Sequence, residues 1–149
     1  MRKTFKVISP IDNHVYVEIE RHDDTDIENA VQNAVNAQAS WKKTPLVDRI
    51  SIVKQFAEAI EKDSEGISEE LCWQMGRPIT QAPGEVNGTV ERTLGMVDLA
   101  ETALADVAVA EKPGFTRYIK REPLGVVLVV PAWNYPYLIA VNSIVPALL

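Results

Sequence analysis

The pattern of apolar and polar residues near the N-terminus predicts a two-stranded hairpin. Phe5 and Val7, and then Val15, Val17 and Ile19, alternate with polar residues on either side of a break rich in turn-forming residues. Alternation with a period of two places the apolar side chains on one face of a strand. We therefore expect two antiparallel strands with one buried face at the start of the chain.

Helical spacing of apolar residues replaces this alternation after the hairpin. Thr25 and Glu28 form a capping-box pattern, in which a hydroxyl and a carboxylate three residues apart satisfy free amides at a helix start. The first predicted helix runs from this box to about Trp41. Thr44 suits the N-cap of a second helix, with Pro45 at its first position, where the missing N–H costs nothing.

Two further helices and an exposed strand are predicted before the C-terminal part of the chain. A third helix covers about residues 65–75, with Gly76 as its C-cap. A fourth covers roughly residues 85–106 and carries an apolar stripe at helical spacing. Residues 115–122 then alternate bulky and charged side chains, as an exposed edge strand does.

Residues 123–149 contain no charged side chain. Within them, residues 126–130 have the composition of a strand covered on both faces, which is typical of parallel α/β sheets. A parallel strand needs a crossover connection and a second strand, and no second strand is predicted after this one. We therefore expect an α/β fold in two parts. Residues 1–122 form the hairpin, the helices and an edge strand, and residues 123–149 open a second domain that is incomplete.

Composition and charge exclude several classes of partner. With 15 Lys and Arg against 21 Asp and Glu, the chain has a net charge of −6 and no basic stripe for a phosphate backbone, so we expect no nucleic acid partner. A single cysteine, Cys72, excludes a disulfide framework and a cysteine-based metal site, and no other metal site is predicted. The N-terminus lacks the apolar core of a secretory signal, so we expect a cytoplasmic protein.

The uncharged C-terminal run raises the question of a membrane span, which takes about 20 apolar residues. Pro131, Pro136 and Pro146 interrupt the run, and each proline inside a helix costs about 3 kcal/mol. Asn134 and Asn142 carry amides that lipid cannot satisfy. We therefore favour a chain without a membrane anchor.

Side chains for nucleophilic or acid–base catalysis are poorly placed in this sequence. Cys72 lies in a predicted helix beside Glu69 and Glu70, whose charges disfavour a thiolate, whereas a reactive thiol needs cations or a helix N-terminus. A small apolar residue on a packed helix is the better interpretation of Cys72. The glycines form neither a P-loop nor the spacing G-x-G-x-x-G of the usual dinucleotide site.

The turn after the predicted buried strand is the strongest candidate for a ligand site. Its residues, 133–136, read Trp-Asn-Tyr-Pro, and open α/β sheets bind ligands beyond the carboxyl ends of their strands. The amide of Asn134 could donate hydrogen bonds to a developing oxyanion there. Alternatively, Asn134 caps the following helix and Trp133 belongs to the core. The residues alone leave both interpretations open.

This turn and the elements before it resemble the aldehyde dehydrogenase superfamily. Its members have a strand followed by P-W-N-[FY]-P, and residues 131–136 here read P-A-W-N-Y-P, with Ala132 inserted between the proline and the tryptophan. The superfamily's helix that ends at G-[KR]-P appears as Met-Gly-Arg-Pro at residues 75–78, after a helix that contains Arg49. The resemblance covers essentially the whole chain, and it implies that residue 123 begins an incomplete Rossmann-like cofactor domain.

The resemblance implies oxidation of an aldehyde to a carboxylic acid with NAD or NADP. In that family a cysteine thiolate attacks the aldehyde, hydride passes to the nicotinamide, and a glutamate-activated water releases the acid. By position, the motif implies three groups of site residues: Asn134 as the oxyanion donor, Val130, Pro131, Ala132 and Trp133 along the cofactor cleft, and Tyr135 and Leu138 facing the aldehyde.

The family's nucleophilic cysteine and general-base glutamate have no counterpart in this chain, because Cys72, Glu69 and Glu70 belong to the N-terminal helices. We therefore expect an N-terminal fragment that is inactive alone. The alternative is a non-catalytic fragment that self-associates, or docks onto a full-length relative or a complementing piece. The expected docking surface is the apolar segment at residues 138–149, which has no sheet to pack against.

Overall fold

The computed structural model describes residues 2–149, and its N-terminal hairpin matches the prediction. Strand β1 (Thr4–Ile8) pairs antiparallel with β2 (Val15–Glu20), with Phe5 opposite Ile19. Phe5 and Ile19 are each 41% exposed. The burial expected for one face of the hairpin is therefore only partial within the part of the chain that the structure describes.

Five helices follow the hairpin among the described residues. The first four lie close to the predicted positions, and the fifth begins directly after the Trp-Asn-Tyr-Pro turn. They are α1 (Asp24–Trp41), α2 (Leu46–Lys62), α3 (Ser64–Met75), α4 (Ala82–Leu104) and α5 (Pro136–Leu148).

The start of α1 differs from the prediction in the identity of its cap. Asp23 and Asp26 form the capping box, and each carboxylate accepts a hydrogen bond from the backbone N–H of the other residue. The prediction that Thr25 and Glu28 form the box is therefore wrong. Both pairs have the same spacing, but a carboxylate at the N-cap also interacts favourably with the helix dipole, which a hydroxyl does not.

The boundaries of α2 and α3 depend on a proline and a glycine. Pro45 is the N-cap of α2, one position later than the cap predicted at Thr44. Helix α3 ends as predicted at Gly76, whose φ of 75° lies in the left-handed region that glycine adopts at no steric cost. A Cβ at Gly76 would lie 3.0 Å from Cγ of Pro10, so the turn of the hairpin packs against the end of α3.

The core lies between α4 and the three helices that pack on it, α2, α3 and α5. Since α4 contributes to every cluster of buried apolar side chains in this core, it is the central element of the fold. Two clusters fill the interfaces: Val53, Val97, Ala100, Val141, Val145 and Leu149 between α2, α4 and α5, and Ile67, Leu71, Ala82 and Val86 between α3 and α4.

The buried strand predicted at residues 126–130 is wrong for this structure. These residues form no strand, and Leu128 is 87% exposed. A strand needs backbone hydrogen bonds from a neighbouring strand, and none of the described residues supplies them here. The edge strand predicted at residues 115–122 is reduced to β4 (Tyr118–Ile119), which pairs antiparallel with β3 (Val107–Ala108).

The C-terminal apolar residues are covered, so the docking surface predicted at residues 138–149 is wrong. Val141, Val145 and Leu149 are buried and pack against α2 and α4. These two helices cover the apolar side chains that were expected to need a β-sheet. Large exposed apolar side chains lie earlier, in residues 124–133, which we call the exposed segment.

Across residues 2–149, no helix combines the length and the apolar character that a membrane crossing requires.

Candidate functional site

Helix α5 fixes the Trp-Asn-Tyr-Pro turn against α4. Pro136 is the first residue of α5, where its missing N–H removes no helix hydrogen bond. Leu138 then packs beside Gly88 of α4, where an added Cβ would lie 3.2 Å from Leu138 Cδ1. Because Gly88 has no side chain, α5 can approach α4 closely. The turn is therefore anchored at its C-terminal side by the helical core.

A carboxylate from α4 caps α5. Tyr135 occupies the N-cap position and makes no side-chain capping bond. Instead, Glu85 Oε1 accepts hydrogen bonds from the backbone N–H of Tyr137, at 2.9 Å, and of Leu138, at 3.2 Å. Glu85 is only 2% exposed. Its charge thus satisfies two donors at the helix start and lies at the positive end of the helix dipole.

Arg77 joins this cap to the turn. Its Nη1 lies 3.2 Å from Glu85 Oε2, and its Nη2 donates a hydrogen bond of 2.5 Å to the backbone carbonyl of Asn134. The guanidinium also lies over the Tyr135 ring, with Cζ 3.9 Å from the ring centroid, which is a cation–π contact. One arginine, whose side chain is only 8% exposed, therefore holds a carboxylate, a carbonyl and a ring together.

The side chain of Asn134 takes no part in this framework. It is exposed, and its carboxamide makes no hydrogen bond to any group in residues 2–149. The alternative in which Asn134 caps the following helix is wrong, because Glu85 supplies that cap. Trp133 is 78% exposed, so its assignment to the core is wrong as well. An exposed amide on a fixed backbone remains, and it is available to a ligand.

The other predicted site residues flank Asn134 along the chain. Residues 130–132 belong to the exposed segment, whereas Tyr135 lies under Arg77, and Leu138 of α5 is half-buried against α4. No backbone–backbone hydrogen bond involves residues 126–132 within the described chain. The structure therefore places the three groups next to one another along the chain, with exposed residues up to Tyr135 and the half-buried Leu138 after them.

A cavity of about 620 Å³ lies beside the turn and is lined mostly by apolar groups. Its walls include Pro10 of the hairpin, Met75 of α3, and Trp133 and Tyr137 from the two sides of the turn. Burial raises the pKa of Tyr137, and the nearby carboxylates raise it further, so its hydroxyl remains a neutral hydrogen-bond donor near pH 7. Such a cavity can hold the apolar part of a small ligand.

Sequence reasoning did not identify Arg77 or Glu85 as residues that hold the site. Arg77 is noted only as part of the G-R-P motif, and it lies 57 residues from Asn134 in sequence. Glu85 falls in the first turn of a helix, where a carboxylate is expected to face solvent. The one available signal was the arginine that directly follows the C-cap glycine. Among residues 2–149, no three His, Cys, Asp or Glu side chains gather as metal ligands.

Comparison with known proteins identifies the family. The sequence profile described as "Aldehyde dehydrogenase family" matches residues 1–149. The chain belongs to the aldehyde dehydrogenase family. The resemblance drawn from residues 75–78 and 131–136 is thereby confirmed.

The relatives match this chain over almost its whole length, and the solved ones share its fold. The 3,6-anhydro-alpha-L-galactose dehydrogenase of Vibrio sp. (strain EJY3) is 31% identical over 146 residues, which are 98% of this chain and 30% of that protein. A Bacillus halodurans NADP-dependent glyceraldehyde-3-phosphate dehydrogenase, solved with NADP, is 28% identical with a TM-score of 0.89 over 98% of this chain and 32% of that one. A P. syringae indole-3-acetaldehyde dehydrogenase, solved with NAD+ and IAA, is 28% identical with a TM-score of 0.88 over 98% and 30%.

These structures confirm the predicted fold class, an α/β aldehyde dehydrogenase fold that begins with a hairpin and helices. The chain spans about 30% of the length of the curated relative. The 149 residues therefore correspond to only one part of the fold of these relatives. The boundary between two units at residues 122 and 123 stays a prediction.

Proposed function

We propose that this chain forms the N-terminal part of an NAD(P)-dependent aldehyde dehydrogenase and that Asn134 is its oxyanion donor. The observation that carries the proposal is the exposed Asn134 carboxamide on a backbone held by Arg77 and capped through Glu85. Electrostatic stabilisation of a developing oxyanion requires donors that are oriented before the reaction starts. Membership of the family supports an aldehyde as the substrate class.

The proposed chemistry of Asn134 concerns the aldehyde oxygen. As a nucleophile adds to the carbonyl carbon, the π electrons of the C=O bond move onto oxygen, and Asn134 Nδ2 donates a hydrogen bond to it. This bond is stronger to the oxyanion than to the neutral carbonyl, so it lowers the barrier rather than only binding substrate. Tyr135, the N-cap of α5, and Leu138, in its first turn, would contact the apolar part of the aldehyde.

Residues 130–133 fit a nicotinamide cofactor through their backbone. Because residues 126–132 make no backbone–backbone hydrogen bond in the described chain, their C=O groups and, except at Pro131, their N–H groups can bind the amide and hydroxyl groups of a dinucleotide. NAD or NADP, when bound, accepts hydride from the substrate. One compared structure contains NADP and another NAD+, so the proposal covers both cofactors.

We propose that the chain does not oxidise aldehydes alone. Its single cysteine, Cys72, is half-buried in α3, and Glu70, two residues earlier, accepts a hydrogen bond from the Tyr16 hydroxyl. A nucleophile and a base that serve Asn134 must then come from outside residues 1–149. Purified chain is expected to form no NADH or NADPH from a panel of aldehydes. Turnover that persists after Cys72→Ala would contradict the proposal that the chain lacks a nucleophile and is inactive alone.

The single unpaired cysteine suits the reducing cytoplasm, where we place the protein.

A chimera tests the role of Asn134. Residues 1–149 would replace the matching segment of the Vibrio dehydrogenase, whose remainder supplies the rest of the family fold. Asn134→Ala is expected to lower the kcat of the chimera by about 10²–10³, with a small change in KM. Asn36→Ala, which removes an exposed amide from α1, should leave kcat unchanged. Equal kcat values for N134A and the unsubstituted chimera would refute the proposal.

The exposed segment favours a second, non-catalytic function. Its apolar side chains, including Leu124 and Leu128, are exposed beside backbone that makes no strand, and such a segment can add to the edge of a sheet. We propose that it pairs in this way with a complementing piece of the family fold. Size-exclusion chromatography with light scattering, after mixing with the remainder of the Vibrio dehydrogenase, should show a 1:1 complex that Val127→Pro weakens. Elution of separate monomers would exclude this function.

A further inference from the structure

The hydrogen bonds that locate the backbone of Asn134 run through two side chains from distant parts of the sequence. Arg77, just after α3, binds the Asn134 carbonyl, and Glu85, in the first turn of α4, binds the next N–H groups of α5. On the N-terminal side of the turn, residues 126–132 make no backbone–backbone hydrogen bond within residues 2–149. The position of Asn134 in this structure therefore depends on contacts from one side.

The two side chains act as one unit because they are paired in a buried place. Arg77 Nη1 and Glu85 Oε2 are 3.2 Å apart, with the side chains 8% and 0% exposed. The two remaining ends of the pair are directed at the turn and at α5: Arg77 Nη2 holds the Asn134 carbonyl, and Glu85 Oε1 holds the Tyr137 N–H. Because the two side chains are paired, a shift of either one would disturb both the contact at Asn134 and the contact at Tyr137.

We propose that Arg77 and Glu85 are positioning residues that set the direction of the Asn134 carboxamide without contacting the substrate. The proposal rests on the proposed function of Asn134. Arg77 restrains the plane of the Asn134 peptide through its carbonyl, and the cation–π contact with Tyr135 restrains the next residue. With the backbone held, the Asn134 carboxamide can occupy only the positions that its staggered rotamers reach from one fixed Cα. A donor misplaced by about 1 Å can lose about 10²-fold in rate.

Arg92 provides a matched comparison on the same helix pair. Unlike Arg77, it lies on α4 itself, and its Nη1 donates hydrogen bonds to the carbonyl of Leu138 and to Oδ1 of Asn142, both on α5. It contacts α5 beyond the turn and makes no hydrogen bond to Asn134. An effect that comes only from weaker contact between α4 and α5 should appear in Arg92→Lys as much as in Arg77→Lys.

Nuclear magnetic resonance of the 149-residue chain tests the positioning directly. In R77K the ¹⁵N order parameter of Asn134 is expected to fall from about 0.85 to below about 0.6, while residues of the core keep theirs. In the nearly isosteric E85Q, the amide protons of Tyr137 and Leu138 should shift upfield, because a neutral acceptor binds them less strongly than a carboxylate. R92K should change neither. An unchanged Asn134 in R77K, or equal loosening in R92K, would overturn the proposal, and E85Q decides it where R77K does not fold.

A double-mutant cycle in the chimera separates positioning from general stability. R77K is expected to lower kcat by about 10-fold or more with little effect on KM, and the R77K and N134A variant should be no slower than N134A alone, because Arg77 acts through Asn134. Independent losses that multiply would refute positioning. A large loss in N134A with none in R77K refutes only the role of Arg77, whereas no loss in N134A refutes the proposed function itself.

Discussion

The carboxylate of Glu85 accepts the backbone N–H of Tyr137 at 2.9 Å, so a side chain of α4 caps α5. Caps usually come from the residue directly before a helix, but Tyr135 at this position has no side-chain acceptor in use. The start of α5 is therefore satisfied only when α5 is packed on α4. Turn, cap and core must form together.

This dependence predicts a large effect of removing the carboxylate. Glu85→Ala leaves the buried guanidinium of Arg77 without its partner and two N–H groups of α5 without an acceptor. We expect the free energy of unfolding to fall by about 3–5 kcal/mol, measured by urea denaturation. The double variant R77M and E85M should lose less than E85A, because two apolar side chains leave no lone buried charge. A double variant whose free energy of unfolding falls as much as that of E85A, or more, would contradict this account.

Gly76 predicts a second effect on stability, from backbone conformation. Gly76→Ala places a Cβ on a residue with φ of 75° and 3.0 Å from Pro10 Cγ, and the left-handed region costs a non-glycine residue about 1–2 kcal/mol. Gly95→Ala is the control, since it lies within α4 with nothing within 4 Å of the added Cβ, and it should stabilise the chain by about 0.5–1 kcal/mol. Thermal unfolding followed by circular dichroism would measure both. Equal effects would show that the left-handed C-cap is unimportant.

Elements stabilised by their own residues could be predicted from the sequence. The apolar stripe of α3 and the glycine after it identify that helix and its end, because both signals are local. The cap of α1 was misplaced because Asp23 with Asp26 and Thr25 with Glu28 overlap at the same spacing, and the choice depends on which oxygen reaches the amides. Local sequence patterns therefore narrow the capping box to two pairs of residues but do not decide between them.

Features that depend on distant partners could not be predicted in the same way. The run at residues 126–130 has the composition of a buried strand, but composition does not supply the neighbouring strand that would pair with it. The motif identifies the Trp-Asn-Tyr-Pro turn, whereas Arg77 and Glu85, which hold it, lie 57 residues before Asn134 and 52 residues before Tyr137. The sequence carries no periodic signal for such contacts.

The cap of α1 predicts a specific pH dependence. The hydrogen bond from the Asp23 N–H lowers the pKa of Asp26, and the charge of Arg2 lowers it further. A carboxyl with a lower pKa in the folded state contributes stability above its unfolded pKa, and this contribution is lost as the pH falls through the folded value. Below about pH 4, the Cα chemical shifts of the first turn of α1 should move towards coil values. Asp26→Asn should already show that loss at pH 7, and Asp24→Asn, which removes a carboxylate outside the capping box, should show less. Equal profiles for D26N and the unsubstituted chain would exclude the cap as the cause.

The contrast between α5 and the exposed segment predicts a large and a small loss of stability from the same truncation, valine to alanine. Val145 is 0% exposed and lies in the cluster between α2, α4 and α5, whereas Val130 belongs to the exposed segment. Val145→Ala removes buried methyl groups and leaves a cavity, so we expect a loss of about 2–3 kcal/mol in urea denaturation. Val130→Ala should change the unfolding free energy by less than about 0.5 kcal/mol. If V130A destabilised the chain as much as V145A, residues 126–130 would be packed in solution and the exposed segment would not exist. If V145A had no effect, α5 would not be part of the core, and the framework that holds Asn134 would lose its support.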